Sequence, residues 1–130
     1  MEKIINSVKG RQKPAQRVTR NSKLFKAVIN GIQEKKGESI VSLDLKKIDE
    51  SVADFFVICE AQSHTQVKAI AENIVEKVAE DCGERPYHVE HGPQWTLVDY
   101  VNVVVHIFQR DYRVFYDLES LWADAEKTAH

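Results

Sequence analysis

Residues 95–108, WTLVDYVNVVVHIF, hold two β-rich segments, Trp95 to Tyr100 and Val103 to Phe108, with only Val101-Asn102 between them. That spacing predicts a tight hairpin. Asn tolerates the positive φ of such turns and a β-branched Val does not, so a loop longer than two residues stays open. Side chains alternate along a strand. Pairing Tyr100 with Val103 therefore puts Thr96, Val98, Tyr100, Val103, Val105 and Ile107 on one face, and Trp95, Leu97, Asp99, Val104, His106 and Phe108 on the other. The second face mixes aromatic rings with a carboxylate and an imidazole, and burying an Asp without a partner is costly. Two arrangements answer this: an Asp99–His106 hydrogen bond beneath the last helix, or a partner-facing patch where Asp99 receives a Lys or Arg and the aromatics supply contact area.

Outward from the hairpin, the punctuation is regular. Ser22 precedes Leu24, Ala27, Val28 and Ile32 at helical spacing, and Gly37 supplies a stop, which predicts a helix over about 23–36. Ile40 to Leu45 reads as a strand with one apolar face, Phe55 to Cys59 as a short strand buried on both sides, and KKIDESVAD as their connection. Ser63 and Gln66 have the spacing of a capping box, opening a long helix with Val67, Ile70, Ala71, Ile74 and Val78 on its apolar face and Gly83 at its end. Pro86 to Glu90 reads as a further strand, followed by a turn at His91-Gly92-Pro93. Past Arg110 the period becomes helical, with Asp117 as a cap and Leu118, Leu121, Trp122 and Ala125 on one face. The order helix, strand, strand, helix, three strands, helix predicts an α/β fold with a mixed sheet of about five strands packed by helices.

At 130 residues the chain has the length of one domain. Its charge divides it. Residues 1–20 carry six basic side chains against Glu2, and residues 21–130 carry 12 basic and 19 acidic ones, so the two parts differ in sign, +5 against −7. The reading is a basic N-terminal tail over 1–20, a body over 21–126 and a C-terminal tail over 127–130. A basic arm suits phosphate, whereas an acidic body suits a basic protein. No apolar run approaches the ~20 residues of a membrane span, and MEKIINSVKG lacks the apolar block of a secretory signal, so the expected compartment is the cytoplasm. Cys59 reads as a buried small hydrophobe rather than as half of a disulfide with Cys82.

Motifs for chemistry are sparse. His88-Val89-Glu90-His91 lacks the order of a metal helix, and on a strand His88 and His91 point to opposite faces, so no metal is expected. No phosphate-cradling glycine loop, nucleophile elbow or C-x-x-C is present, and no cofactor is expected. Asp44, Asp54, Asp99 and Asp117 include no same-strand D-x-D for Mg²⁺ and read as scattered acids.

Three spaced segments, DFFVICEAQSHTQVKAIAENIVEKV, WTLVDYVNVVVHIF and FYDLESLWADA, together resemble the ribosomal silencing factor family, also called Iojap-like. The resemblance spans about 23–126. It implies a nucleotidyltransferase-like fold without the catalytic carboxylates, and a regulator that is not an enzyme. Such a regulator binds the large ribosomal subunit through ribosomal protein L-fourteen, sterically obstructs the small subunit and represses translation when nutrients are short. The basic tail, in that setting, is expected to reach nearby ribosomal RNA. A nucleotidyltransferase-like, nucleotide-binding enzyme is the alternative, and a homodimer of the free protein is a further expectation. Carried over onto this chain, the W-x-x-x-D-Y segment supplies Trp95, Asp99 and Tyr100, the V-V-V-H ending supplies His106, and Y-D-L-E-x-L-W supplies Asp117, Leu118, Glu119, Leu121 and Trp122 as partner-binding candidates. The family usually has Gly-Asp where this chain has Val101-Asn102, and favours a Gly-Thr-Ser type turn at Ala61-Gln62-Ser63.

Overall fold

The computed structural model describes residues 17–48, 53–121 and 123–130. Its elements are α1 (Lys23–Glu34), β1 (Glu38–Asp44), β2 (Phe55–Ala61), α2 (His64–Cys82), β3 (His88–His91), β4 (Trp95–Asp99), β5 (Val103–Gln109), a 3₁₀ turn (Arg110–Tyr112), α3 (Arg113–Tyr116), α4 (Leu118–Leu121) and β6 (Glu126–Ala129). The strands form one sheet in the order β3-β4-β5-β2-β1-β6. Only β2 and β5 pair in parallel; the other neighbours are antiparallel.

Alternation sorts the core as the hairpin register requires. Val98, Tyr100, Val103, Val105 and Ile107 join Phe55, Val57 and Cys59 beneath α1 and α2. Trp95, Leu97, Val104 and Phe108 join Phe56, Ile58, Val41 and Leu43 on the opposite face, together with Leu118 and Ala125 from the C-terminal segment. The two helices approach closely: a Cβ added at Gly31 would lie 3.1 Å from the Ile74 Cα. Asn73 donates to the Gly31 carbonyl at 2.9 Å across the same contact. At the start of α2 the Ser63 hydroxyl caps the helix by accepting from the Gln66 N–H, while the Gln66 side chain accepts from the Gln62 N–H, one residue before the cap's own N–H that a capping box would use. Gly83 closes the helix at φ 67°.

The structure corrects the sequence reading in three places. The sheet has six strands, not five, because residues 126–129, read as the end of the body and a trailing tail, pair with β1. This strand consists of Glu, Lys, Thr and Ala, an edge composition with no apolar alternation to reveal it. The expected C-terminal helix is broken in two. Asp117, read as a cap that starts a helix, sits at φ 34°, a left-handed position that Asp tolerates, and ends α3 with its N–H on the Arg113 carbonyl. Finally, the 23–36 helix stops at Glu34, with Lys36 at φ 60°.

The hairpin closes in two residues despite its sequence. Val101 adopts φ 72°, and the Asn102 N–H bonds the Tyr100 carbonyl at 2.9 Å across it, a γ-turn of the strained, positive-φ kind. Asp99 Oδ1 holds the turn by accepting the Val101 N–H at 2.7 Å. A left-handed β-branched residue is unfavourable by about 1–2 kcal/mol, and a glycine there gives back about 0.5–1 kcal/mol in unfolded-state entropy. Val101→Gly should therefore raise the unfolding free energy, by up to about 1 kcal/mol, in a urea titration; a loss of stability would contradict the assigned strain.

Among the described residues no helix is long and apolar enough to cross a membrane. Cys59 and Cys82 are both free thiols. Burial pushes the Cys59 thiol up to about 12, and also raises that of the partly exposed Cys82. With the nucleophilic thiolate suppressed and no access, Cys59 should resist iodoacetamide in the folded protein and react only on unfolding, whereas Cys82 should label first. Mass spectrometry of a timed alkylation reads the order, and labelling of Cys59 at the rate of Cys82 would contradict it.

Candidate partner-binding surface

At one end of the sheet, a network of ion pairs fixes the chain as it leaves β5. Arg113 is its hub. Its Nη1 donates to the Ser39 carbonyl at 2.8 Å and to Glu60 Oε1 at 2.9 Å, while its Nε and Nη2 reach Glu119 Oε1 at 3.3 and 3.2 Å. Arg110 holds the other Glu60 oxygen at 3.1 Å and also pairs with Glu38. Lys127 of β6 pairs with Glu119 Oε2 at 3.3 Å. Because the Arg113 side chain is only 14% exposed, its charge is less screened than that of a free surface arginine. The result is a clamp joining β1, β2, α3, α4 and β6.

The clamp and the left-handed Asp117 decide what faces outward. In an unbroken helix, Val114 and Leu118 would share a face at i, i+4 spacing. The break separates them: Leu118 is buried in the core and Val114 is 73% exposed. Asp111 and Asp117, on either side of Val114 in the chain, are exposed too. An apolar side chain between two carboxylates suits a partner that combines an apolar contact with basic groups.

The residues singled out in the sequence do not form one exposed patch. Trp95, Asp99 and His106 share the face assigned to them but are buried there, and Tyr100 is buried on the opposite, helix-covered face. The Trp95 indole donates to His106 Nδ1 at 3.3 Å, and the His106 ring lies 4.4 Å from that of Phe56. Their burial corrects the reading of Trp95, Asp99, Tyr100 and His106 as contact residues for a protein partner, since such side chains position the fold and present little area to a macromolecule. Leu118 is buried likewise, and Glu119 spends its charge inside the clamp. Asp117 remains as an exposed candidate. The Leu121 side chain and Trp122 lie outside the described residues. Sequence reasoning missed Val114 and Asp111; the signal was a valine among charges in RDYRV, legible only once the helix break is known.

The other acids noted in the sequence also have structural tasks. Asp54 is buried, accepting from Arg17 at 2.7 Å and from the Val18 N–H at 2.9 Å. Asp44 accepts from the Lys46 N–H at 3.0 Å. His88 and Glu90 face each other at 3.4 Å on β3, and no three metal-ligating side chains group together among the described residues.

Residues 18–130 match the family model described as "Ribosomal silencing factor during starvation". The chain belongs to the ribosomal silencing factor family. It is 42% identical over 107 residues to the ribosomal silencing factor of Halalkalibacterium halodurans, covering 81% of this chain and 90% of that one. With the Bacillus subtilis factor it shares 39% over 104 residues, 78% of this chain and 86% of the relative. The chloroplastic Iojap protein of Zea mays is 38% identical over 76 residues, 55% of this chain but only 31% of that longer protein. Among solved structures, a Chromobacterium violaceum protein superposes with a TM-score of 0.71 at 31% identity, covering 77% of this chain and 83% of its own. A Bacillus halodurans protein gives 0.67 at 39% identity, covering 78% and 95%.

In this silencing factor family member, replacing Arg113 by Met would leave Glu60 and Glu119 half-buried without their common cation. The expected loss is about 2–3 kcal/mol in chemical denaturation, with earlier hydrogen exchange in residues 113–119. Unchanged stability and exchange would show that the clamp does not hold the segment.

Proposed function

We propose that this chain acts as a ribosomal silencing factor by binding the large ribosomal subunit through ribosomal protein L-fourteen and sterically blocking association with the small subunit, so that translation falls when nutrients are limiting. The observation that carries the docking site is the exposed Asp111–Val114–Asp117 edge held out by the Arg113 clamp. The charge balance supports a basic partner, because residues 21–130 carry seven more acidic than basic side chains, 19 against 12. Asp117 is the proposed charge partner, Val114 the apolar contact, and Glu119 the residue that fixes their segment. Trp95, Asp99, His106 and Leu118, on the face that the C-terminal segment covers, support that surface from within, and Tyr100 belongs to the opposite, helix-covered face.

The basic tail is proposed to reach nearby ribosomal RNA. Lys3, Lys9, Arg11 and Lys13 lie outside the described residues, while Arg17 and Arg20 are drawn back onto the body by Asp54 and Glu126. The proposed setting is the cytoplasm, with a homodimer as the form off the ribosome. The alternative, a nucleotidyltransferase-like enzyme, needs carboxylates that reach a metal-bound nucleotide; Asp54 and Asp99 are buried and accept internal N–H groups, which favours the non-enzymatic reading.

Light scattering of purified subunits tests the proposal. Saturating protein should prevent joining, and Asp117→Lys together with Val114→Asp should weaken co-sedimentation with the large subunit at least about tenfold while leaving the circular dichroism spectrum unchanged. Unimpaired joining at saturation would refute it, and Mg²⁺-dependent nucleotide turnover would favour the enzyme.

A further inference from the structure

A cleft of about 400 Å³ opens beside the hairpin turn, lined by residues from the start of α1, the end of α2 and the β4–β5 connection. Its volume falls within the ~300–1,000 Å³ range of small-ligand sites. Two helix ends of opposite polarity meet there: Ser22, Lys23 and Leu24 begin α1, and Asp81 and Cys82 end α2. Ser22 makes no side-chain cap bond to α1, because its hydroxyl accepts the Thr19 N–H at 2.8 Å instead.

The second feature is Tyr100. Only 6% of the residue is exposed, it lines the cleft, and its hydroxyl is buried with no hydrogen-bond partner among the described residues. A buried hydroxyl left unpaired has lost its water without compensation, and a bound polar group would relieve that loss. Burial above all, and then the charge of Glu84, raises its pKa, so it stays a neutral hydroxyl able to donate.

Charge selects the ligand. Arg17 is already paired with Asp54, and Lys23 adds its charge to the positive end of α1. Asp81 and Glu84 add theirs to the negative end of α2. These carboxylates oppose a phosphate dianion, and a simple cation would leave the α1 terminus and Tyr100 unanswered. We propose that this cleft binds a small zwitterion of the α-amino-acid class, its carboxylate at the start of α1 and the Tyr100 hydroxyl, its ammonium toward Asp81 and Glu84. Val18 and Leu24 in the lining suit an aliphatic side chain.

Amide shifts of the ¹⁵N-labelled full chain, titrated with L-leucine, test this, with acetate, methylammonium and inorganic phosphate as comparisons. Leucine should give saturable shifts confined to residues 22–24, 81–84 and 100–102, and the half-ligands should bind more weakly. Tyr100→Phe, which keeps the ring, and Glu84→Gln, at an exposed position, should each weaken leucine binding about tenfold. The absence of saturation at tens of millimolar leucine would overturn the proposal, as would tighter binding of phosphate to the same amides, or leucine affinity unchanged in both variants.

Discussion

The carbonyl of Asn102 is where the fold is set. It accepts two backbone donors, the Asp54 N–H at 2.9 Å and the Phe55 N–H at 3.0 Å, at the point where β2 begins beside β5. That junction aligns Phe55 with Val103 and carries the parallel register through Ala61 and Gln109. Both strands are buried on their two faces, so a slip of one residue would exchange the side chains beneath α1 and α2 with those beneath the C-terminal segment. The strained Val101 turn delivers this carbonyl, and Asp99 holds the turn through the Val101 N–H, while the Asp54 carboxylate ties the start of β2 to Val18.

Once the register is fixed, the aromatic and charged residues that look functional in the hairpin become internal. The ring contacts of His106 with Phe56, Trp95 and Phe108 stabilise one face of the sheet rather than advertising it. The segment after β5, proposed above as the recognition surface, owes its position to Arg113 and to one left-handed residue, Asp117. A few hydrogen bonds to Glu60 and Glu119 convert a core-covering segment into one that also presents Val114 to solvent.

Where period and capping speak strongly, the sequence was legible. Alternation in residues 95–108 sorted the side chains to their observed faces, and S-x-x-Q placed the start of α2. What escaped was governed by long-range partners. Strand β6 exists because β1 offers an edge, and nothing within EKTA announces that. The same holds for Glu119, an apparent surface acid whose role depends on Arg113 and Lys127. Asp117 was read as a helix start because Asp favours that position, yet the same short side chain also permits the left-handed geometry that ends α3. As for the candidate site, the sequence pointed to Asp117, Leu118 and Glu119, and the exposure of Val114 and Asp111 just before them was not legible, since a helix break of one residue re-aims the side chains around it.

The most direct measurement is hydrogen–deuterium exchange of the protein alone and bound to purified large ribosomal subunits. Docking through the clamped edge predicts new protection concentrated in residues 110–120, with β3 at the opposite sheet edge exchanging as it does in the free protein. Protection centred on β3 or on the exposed face of α2, with 110–120 unchanged, would contradict the account.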